Sequence, residues 1–201
     1  MTHLTFLSNI MLKYIMIFYI TRHGETEYNI LGQYCGSTDI SLNETGLGQA
    51  CDLAQRLQGM RFDAVISSPM LRARQTAEIA CAALGMHYSV YEQFAERNMG
   101  VYEGLTKDEA KGRYPHLWNR QCTIKPDDAP DGGETIRQVC ARIEDGLAQL
   151  RYQYNDKTIL LICHGFVARA VNRYFCNLSF EEMASFTLGN CEVVKYCLNP
   201  V

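Results

Sequence analysis

The chain has 201 residues, 47% of them apolar and 20% charged, and a formal net charge of −3. This balance excludes a disordered or fibrous chain and suffices for one domain with a substantial core. The slight negative charge supplies no general attraction to nucleic acid or to an acidic membrane, so neither is expected as a partner.

In chain order, "MTHLTFLSNIMLKYIMIFYITRHGE" is apolar enough to suggest an anchor. Asn9 and Lys13 interrupt it, leaving no run near the roughly 20 apolar residues a membrane helix needs. It also lacks the basic start and small-residue cleavage site of a signal peptide. Residues 1–15 are read as a loose extension, with Met16 an alternative start, and 16–201 as a single domain in the cytoplasm. "MIFYI" (16–20) reads as a buried strand. In "ISLNETGLGQACDLAQRL", Ser41 and Glu44 have capping-box spacing, and Ala50, Leu53, Ala54 and Leu57 recur at helical intervals. "FDAVISS" (62–68) is a second strand, stopped by Pro69, which suits the first turn of a helix running to Gly85. "HYSVY" (87–91) is a short third strand.

Residues 92–132 are largely irregular, with a short helix starting at Thr106 and Glu109, and read as a functional lid insertion. Ile136, Val139, Ile143, Leu147 and Leu150 then share one helix face. "TILLICHG" is a fourth strand, "FVARAVNRYF" a helix, "SFEEM" a capped turn, and "EVVKYCL" (192–198) a final strand whose apolar edge could serve a homodimer. Alternation of strands and helices indicates an α/β layer fold. Nine cysteines without a C-x-x-C pair fit neither a disulfide framework nor a zinc site and read as free thiols.

Two strands end in His-Gly, at His23-Gly24 and His164-Gly165. Ligands of open α/β sheets bind beyond the carboxyl ends of the strands, so adjacent strands would point both imidazoles into one crevice. Arg22 and Arg72 bring permanent guanidinium charge. With Asn29 they make a pocket for a compact dianion, each cation–anion pair worth roughly 4 kcal/mol at about 4 Å and an effective dielectric of ~20. A histidine among cations has a depressed pKa, so it stays a neutral nucleophile at pH 7. Glu96, just past strand three, is placed as proton donor to a leaving alkoxide, ahead of Glu92 and Glu103. No metal or cofactor is called for, because arginines supply the positive charge. "CHGFVAR" offers a competing reading, in which Cys163 and Arg169 form a C-x5-R phosphatase loop. It has one glycine where such loops carry more, and chance alone readily produces the spacing.

"TRHGETEYN", "GSTDISLNETGLGQA", "ISSPMLRARQTA", "ERNMGVYEG", "DGGET" and "LLICHGFVAR" resemble, in order, the motifs of the histidine phosphatase superfamily, the phosphoglycerate mutase-like proteins. The resemblance runs from about Met16 to the C-terminus. It implies a three-layer α/β/α fold whose mixed, mostly parallel sheet has six strands, with strands one and four adjacent. It also implies His23 as the phosphorylated nucleophile, Glu96 as acid, and phosphate binding by Arg22, Asn29, Arg72 and His164; independently of it, the glycine after each histidine, Gly24 and Gly165, lets a backbone amide approach an anion closely. Cys163 departs from the serine usual before the second His-Gly. Gln33, Ser37, Arg97, Tyr102 and Trp118 are candidate substrate contacts. The expected activity is that of a histidine acid-type phosphatase acting on a small phosphorylated metabolite, α-ribazole phosphate being one choice. The alternatives are a cofactor-dependent phosphoglycerate mutase and a non-catalytic phospholigand-binding protein. The short lid, and a chain that stops just after the last strand, favour the phosphatase.

Overall fold

The computed structural model describes residues 16–198, so the extension expected over residues 1–15 lies outside the described residues. Five strands form one sheet: β1 Met16–Arg22, β2 Ala64–Ser67, β3 Tyr88–Val90, β4 Thr158–Cys163 and β5 Val193–Leu198, in the order β3-β2-β4-β1-β5. The first four are parallel, and β5 runs antiparallel to β1. Among the described residues the sheet therefore has five strands, not the expected six. The chain between β3 and β4 goes into the insertion and a long helix rather than into another strand. β2 and β4 are buried along nearly their whole length, as continuous apolar runs covered on both faces must be.

Helices α2 (Glu44–Leu57) and α3 (Leu71–Leu84) cover one face, where Leu53, Leu57, Ala73 and Ala77 pack on Val65, Leu160 and Ile162. α6 (Ile136–Gln153) and α7 (Gly165–Cys176) cover the other, where Ile143, Leu147, Val167 and Val171 meet Phe18, Ile20 and Leu161. All five residues of the α6 stripe are buried, at about 1.5–3 kcal/mol each. A short α1 (Glu27–Ile30) follows β1, and α8 (Phe180–Met183) follows α7. No helix among the described residues is long and apolar enough to cross a membrane.

Local signals were mostly where expected, with two shifts. α2 is capped by Asn43, whose side chain accepts from the Gly46 amide at 2.7 Å, rather than by Ser41. Residues 41–42 stay outside the helix, with the Leu42 amide taken by the Gln75 side chain at 2.8 Å. Pro69 lies just before the α3 cap, Met70, while Gly85 ends α3 in the left-handed conformation (φ 64°). The insertion holds α4 (Lys107–Arg113), capped by Thr106 and Glu109, and α5 (Pro115–Arg120). These pack with the 3-10 turn Gly100–Tyr102 around Met99, Tyr102, Leu105, Ala110 and Leu117, whereas the earlier 3-10 turn, Glu92–Phe94, packs Phe94 into the core beside α6.

The turn after β1 is pressed backbone-to-backbone against the start of α2. A Cβ on Gly24 would overlap the Gly46 carbonyl, and one on Gly46 would overlap the Glu25 carbonyl, with no flexible side chain to give way. Gly46→Ala is therefore expected to cost on the order of 1–3 kcal/mol in urea unfolding. An unchanged midpoint would show that this close approach is not enforced.

Candidate active site

β1 and β4 pair in parallel with Arg22 opposite Cys163, so the next residues, His23 and His164, emerge side by side with ring centroids 5.1 Å apart. The His23 amide donates to the Cys163 carbonyl at 3.0 Å. Its Nδ1 lies 2.6 Å from the Gly24 carbonyl. A carbonyl only accepts, so Nδ1 carries the proton and Nε2 keeps its lone pair. Arg72 agrees, because its Nε donates to His23 Nε2 at 3.3 Å. Burial first, then the Arg72 and Arg22 charges, hold the His23 pKa well below its ordinary value against the opposing Gly24 hydrogen bond. The imidazole is neutral at pH 7.

Arg72 is 1% exposed and fixed by its outer nitrogens, which donate to the Thr38 and Gly36 carbonyls at 2.9 Å each. The loop carrying those carbonyls is braced by Glu103, whose carboxylate accepts from Ser37 N, Ser37 Oγ, Thr38 Oγ1 and Met99 N at 2.6–3.0 Å. Arg22 lines the same cleft of ≈ 610 Å³, and its buried Nε has no protein partner. Asn29, also on the cleft, accepts through Oδ1 from the Thr26 amide at 3.1 Å and from Asn190 Nδ2 at 3.4 Å, so its oxygen is occupied and its NH₂ is the group that can donate.

Glu96 lines the same cleft. One carboxylate oxygen accepts from the Arg97 amide at 2.9 Å and the other from the Phe166 amide at 3.2 Å. Its rivals lie elsewhere: Glu92 is exposed in a 3-10 turn, and Glu103 is occupied as a brace.

Gly165 does not line the cleft wall, and neither does His164, which is fully buried with its ring beside that of His23. The His164 Nε2 is 2.6 Å from Ser68 Oγ, and its Nδ1 has no protein partner. Gly165 opens α7, where a Cβ would sit 3.8 Å from Arg22 Nε. Burial, then Arg72, His23 and Arg22, hold the His164 pKa well below its usual value as well.

Of the candidate substrate contacts, Gln33, Arg97 and Trp118 line the cleft, whereas Ser37 and Tyr102 do not. Ser37 is bound to Glu103, and Tyr102 is fully buried in the core of the insertion. Arg97 is a strut: it donates to the carbonyls of Glu134, Thr123 and Cys122 and lies 5.3 Å over the Phe166 ring. Cys163 is fully buried on β4, and burial pushes its thiol far above the ordinary range. A thiol without access or thiolate character is no nucleophile, which disposes of the C-x5-R reading.

Several supporting residues escaped the sequence reading. Thr76 accepts from the Gly24 amide at 3.1 Å, and Asn190 donates to the His23 carbonyl at 2.8 Å. Tyr34, Lys107 and Phe166 complete much of the cleft wall, together with Arg169, which the sequence offered only as the arginine of a C-x5-R loop. Asn190 lies 167 residues from His23, and only the antiparallel return of β5 beside β1 brings it there.

A family model described as histidine phosphatase superfamily (branch 1) matches residues 18–200. The uncharacterized phosphatase PhoE of Bacillus subtilis (strain 168) is 32% identical over 152 residues, 76% of this chain and 73% of that protein. A 2,3-bisphosphoglycerate-dependent phosphoglycerate mutase of Mesorhizobium japonicum is 30% identical over 191 residues, 90% of this chain and 91% of the other. Among solved structures, a putative alpha-ribazole-5'-P phosphatase from Escherichia coli K-12 superposes with a TM-score of 0.86 at 24% identity. It covers 92% of this chain and 91% of its own.

The two buried neutral histidines make stability pH-dependent. The unfolded chain binds protons at each near pH 6.5, while the folded chain refuses them until well below. Their contribution is intact above ~6.5 and falls as pH drops toward the folded pKa, by up to about 1.4 kcal/mol per histidine per pH unit. Urea midpoints at pH 7.5 and 5.5 should show a larger drop for the wild type than for His164→Gln. Equal drops would mean that His164 takes up its proton in the folded state.

Proposed function

The chain belongs to the histidine phosphatase superfamily, and from that premise we propose that it is a metal-independent phosphomonoesterase acting on a small phosphorylated metabolite through a phosphohistidine on His23. The observation that carries this reading is the unprotonated Nε2 of a neutral, immobilised imidazole at the wall of a cationic cleft. Arg22, Arg72 and the Asn29 amide hold the phosphoryl oxygens. His164 adds its one unpartnered ring nitrogen, and the Gly165 amide at the start of α7 adds a further donor.

His23 Nε2 forms a bond to phosphorus as the bond to the leaving oxygen breaks, and Glu96 gives that oxygen its proton. Water then loses a proton to the Glu96 carboxylate and attacks phosphorus. The phosphorus–nitrogen bond breaks, releasing phosphate and neutral His23. The charge that gathers on the equatorial oxygens is matched by guanidinium groups already fixed by backbone carbonyls, so little reorganisation is needed. A histidine that stays neutral well below pH 6.5 supports an acid-type activity profile.

Beyond the phosphoryl end, the cleft has apolar walls from Tyr34, Met99, Trp118, Ile124 and Phe166, with room for a leaving group of nucleoside size. α-Ribazole phosphate is the first substrate to try, since the Escherichia coli protein named for it shares this fold. The Mesorhizobium relative favours a second reading, phosphoglycerate mutase. A mutase must exclude water, and the lid here contributes only helices of 7 and 6 residues.

Purified protein in EDTA should release inorganic phosphate from a panel containing p-nitrophenyl phosphate, 3-phosphoglycerate and α-ribazole phosphate. His23→Ala should lower release on the order of 10⁴-fold or more, and Cys163→Ser should retain most of it. Efficient interconversion of 2- and 3-phosphoglycerate without release would establish the mutase instead. An active His23→Ala beside a dead Cys163→Ser would overturn the assignment.

A further inference from the structure

Glu96 lies in an irregular segment between the 3-10 turns Glu92–Phe94 and Gly100–Tyr102. Backbone carbonyls in such a segment have no helix or sheet ladder to accept from and need partners when water is kept away. Two of them, with that of Gln93 in the first turn, converge on one side chain of α6. Arg142 Nη1 donates to the Gln93 and Ala95 carbonyls at 2.8 Å each, and Nη2 to the Glu96 carbonyl at 3.1 Å. The remaining donors, Nε and the second hydrogen of Nη2, meet the two oxygens of Glu134 at 2.9 Å each. All five guanidinium N–H groups are thus used in one planar fork, which lysine cannot reproduce.

Glu134 closes the arrangement from the far side. Its Oε2 also accepts from the Asn98 amide at 2.9 Å, and its own amide donates to the Asn98 carbonyl at 2.9 Å. The backbone on both sides of Glu96 is therefore tied to a single ion pair, half-buried rather than washed by solvent. Among the described residues no other side chain donates to the Glu96 main chain: the two hydrogen bonds from Arg97 N and Phe166 N hold its carboxylate, not its backbone.

We propose that the Arg142–Glu134 pair is the positioning device of the proton donor: it touches no reacting atom, and it sets where the Glu96 carboxyl stands relative to the leaving oxygen. This inference rests on Glu96 being the acid. It requires that loosening the pair damage proton donation selectively, leaving attack by His23 much less affected, because His23 is held by Gly24, Cys163 and Arg72, none of which Arg142 touches.

The test separates leaving groups. p-Nitrophenolate departs without a proton, whereas the alkoxide of glycerol 3-phosphate does not, and kcat/KM reports the first phosphoryl transfer for both. Arg142→Met should lower kcat/KM for glycerol 3-phosphate at least about tenfold more than for p-nitrophenyl phosphate, within the 10²–10⁴-fold that general acid catalysis supplies. Arg142→Lys keeps the charge without the fork; it should show the same bias to a smaller degree, and it serves as the test if the methionine variant does not fold. Glu96→Gln is the reference, with the largest bias. If Glu96→Gln is biased while the Arg142 variants lower both esters equally, Arg142 is a structural residue only and the proposal is overturned. If Glu96→Gln itself shows no bias, Glu96 is not the acid and the inference falls with that reading.

Discussion

Everything in the site depends on the 2.6 Å hydrogen bond between His23 Nδ1 and the carbonyl of the next residue, Gly24. It makes one ring nitrogen a donor directed back into the fold and leaves the other a lone pair at the cleft. The bond exists because the chain turns sharply after β1 and is clamped there. The Gly24 amide donates to Thr76, the turn abuts the start of α2, and Asn190 holds the His23 carbonyl. A buried imidazole flanked by two guanidinium groups cannot cheaply take a proton. The cations that would grip a phosphoryl dianion are thus the same ones that keep the nucleophile uncharged.

A second regularity is how the arginines are held. Arg72, Arg97 and Arg142 each donate to two or three backbone carbonyls from loops rather than lying loose in the cleft. Irregular backbone near a site needs acceptor partners, and a site for an anion needs fixed positive charge. A guanidinium group anchored on carbonyls meets both needs with one side chain. This explains why loops from three distant parts of the chain, around residues 36–38, 93–98 and 122–123, keep a definite geometry with little regular secondary structure of their own. In the mechanism proposed here, that preorganisation is what stabilises the transferring phosphoryl group.

The strands, the main helices and the residues nearest the chemistry were legible because their signals are local. Apolar runs ending in His-Gly, a helical stripe on α6 and Gly85 after α3 each need only a short window to be seen. The adjacency of β1 and β4, which brings His23 and His164 together, came from family resemblance and is what the sheet shows. Non-local facts were not legible. Nothing near Ser37 or Tyr102 signals that the first is taken up by Glu103 and the second sealed in the insertion core. Nothing near His164 signals that Ser68 occupies its Nε2. The sixth strand was expected from resemblance, not from any apolar run in the chain.

The protonation state of His23 can be read directly by long-range proton–nitrogen correlation on histidine-labelled protein between pH 7.5 and 5.5. One proton is expected, on Nδ1, with Nε2 bare throughout that range. A proton on Nε2, or an imidazolium at pH 7, would contradict this assignment.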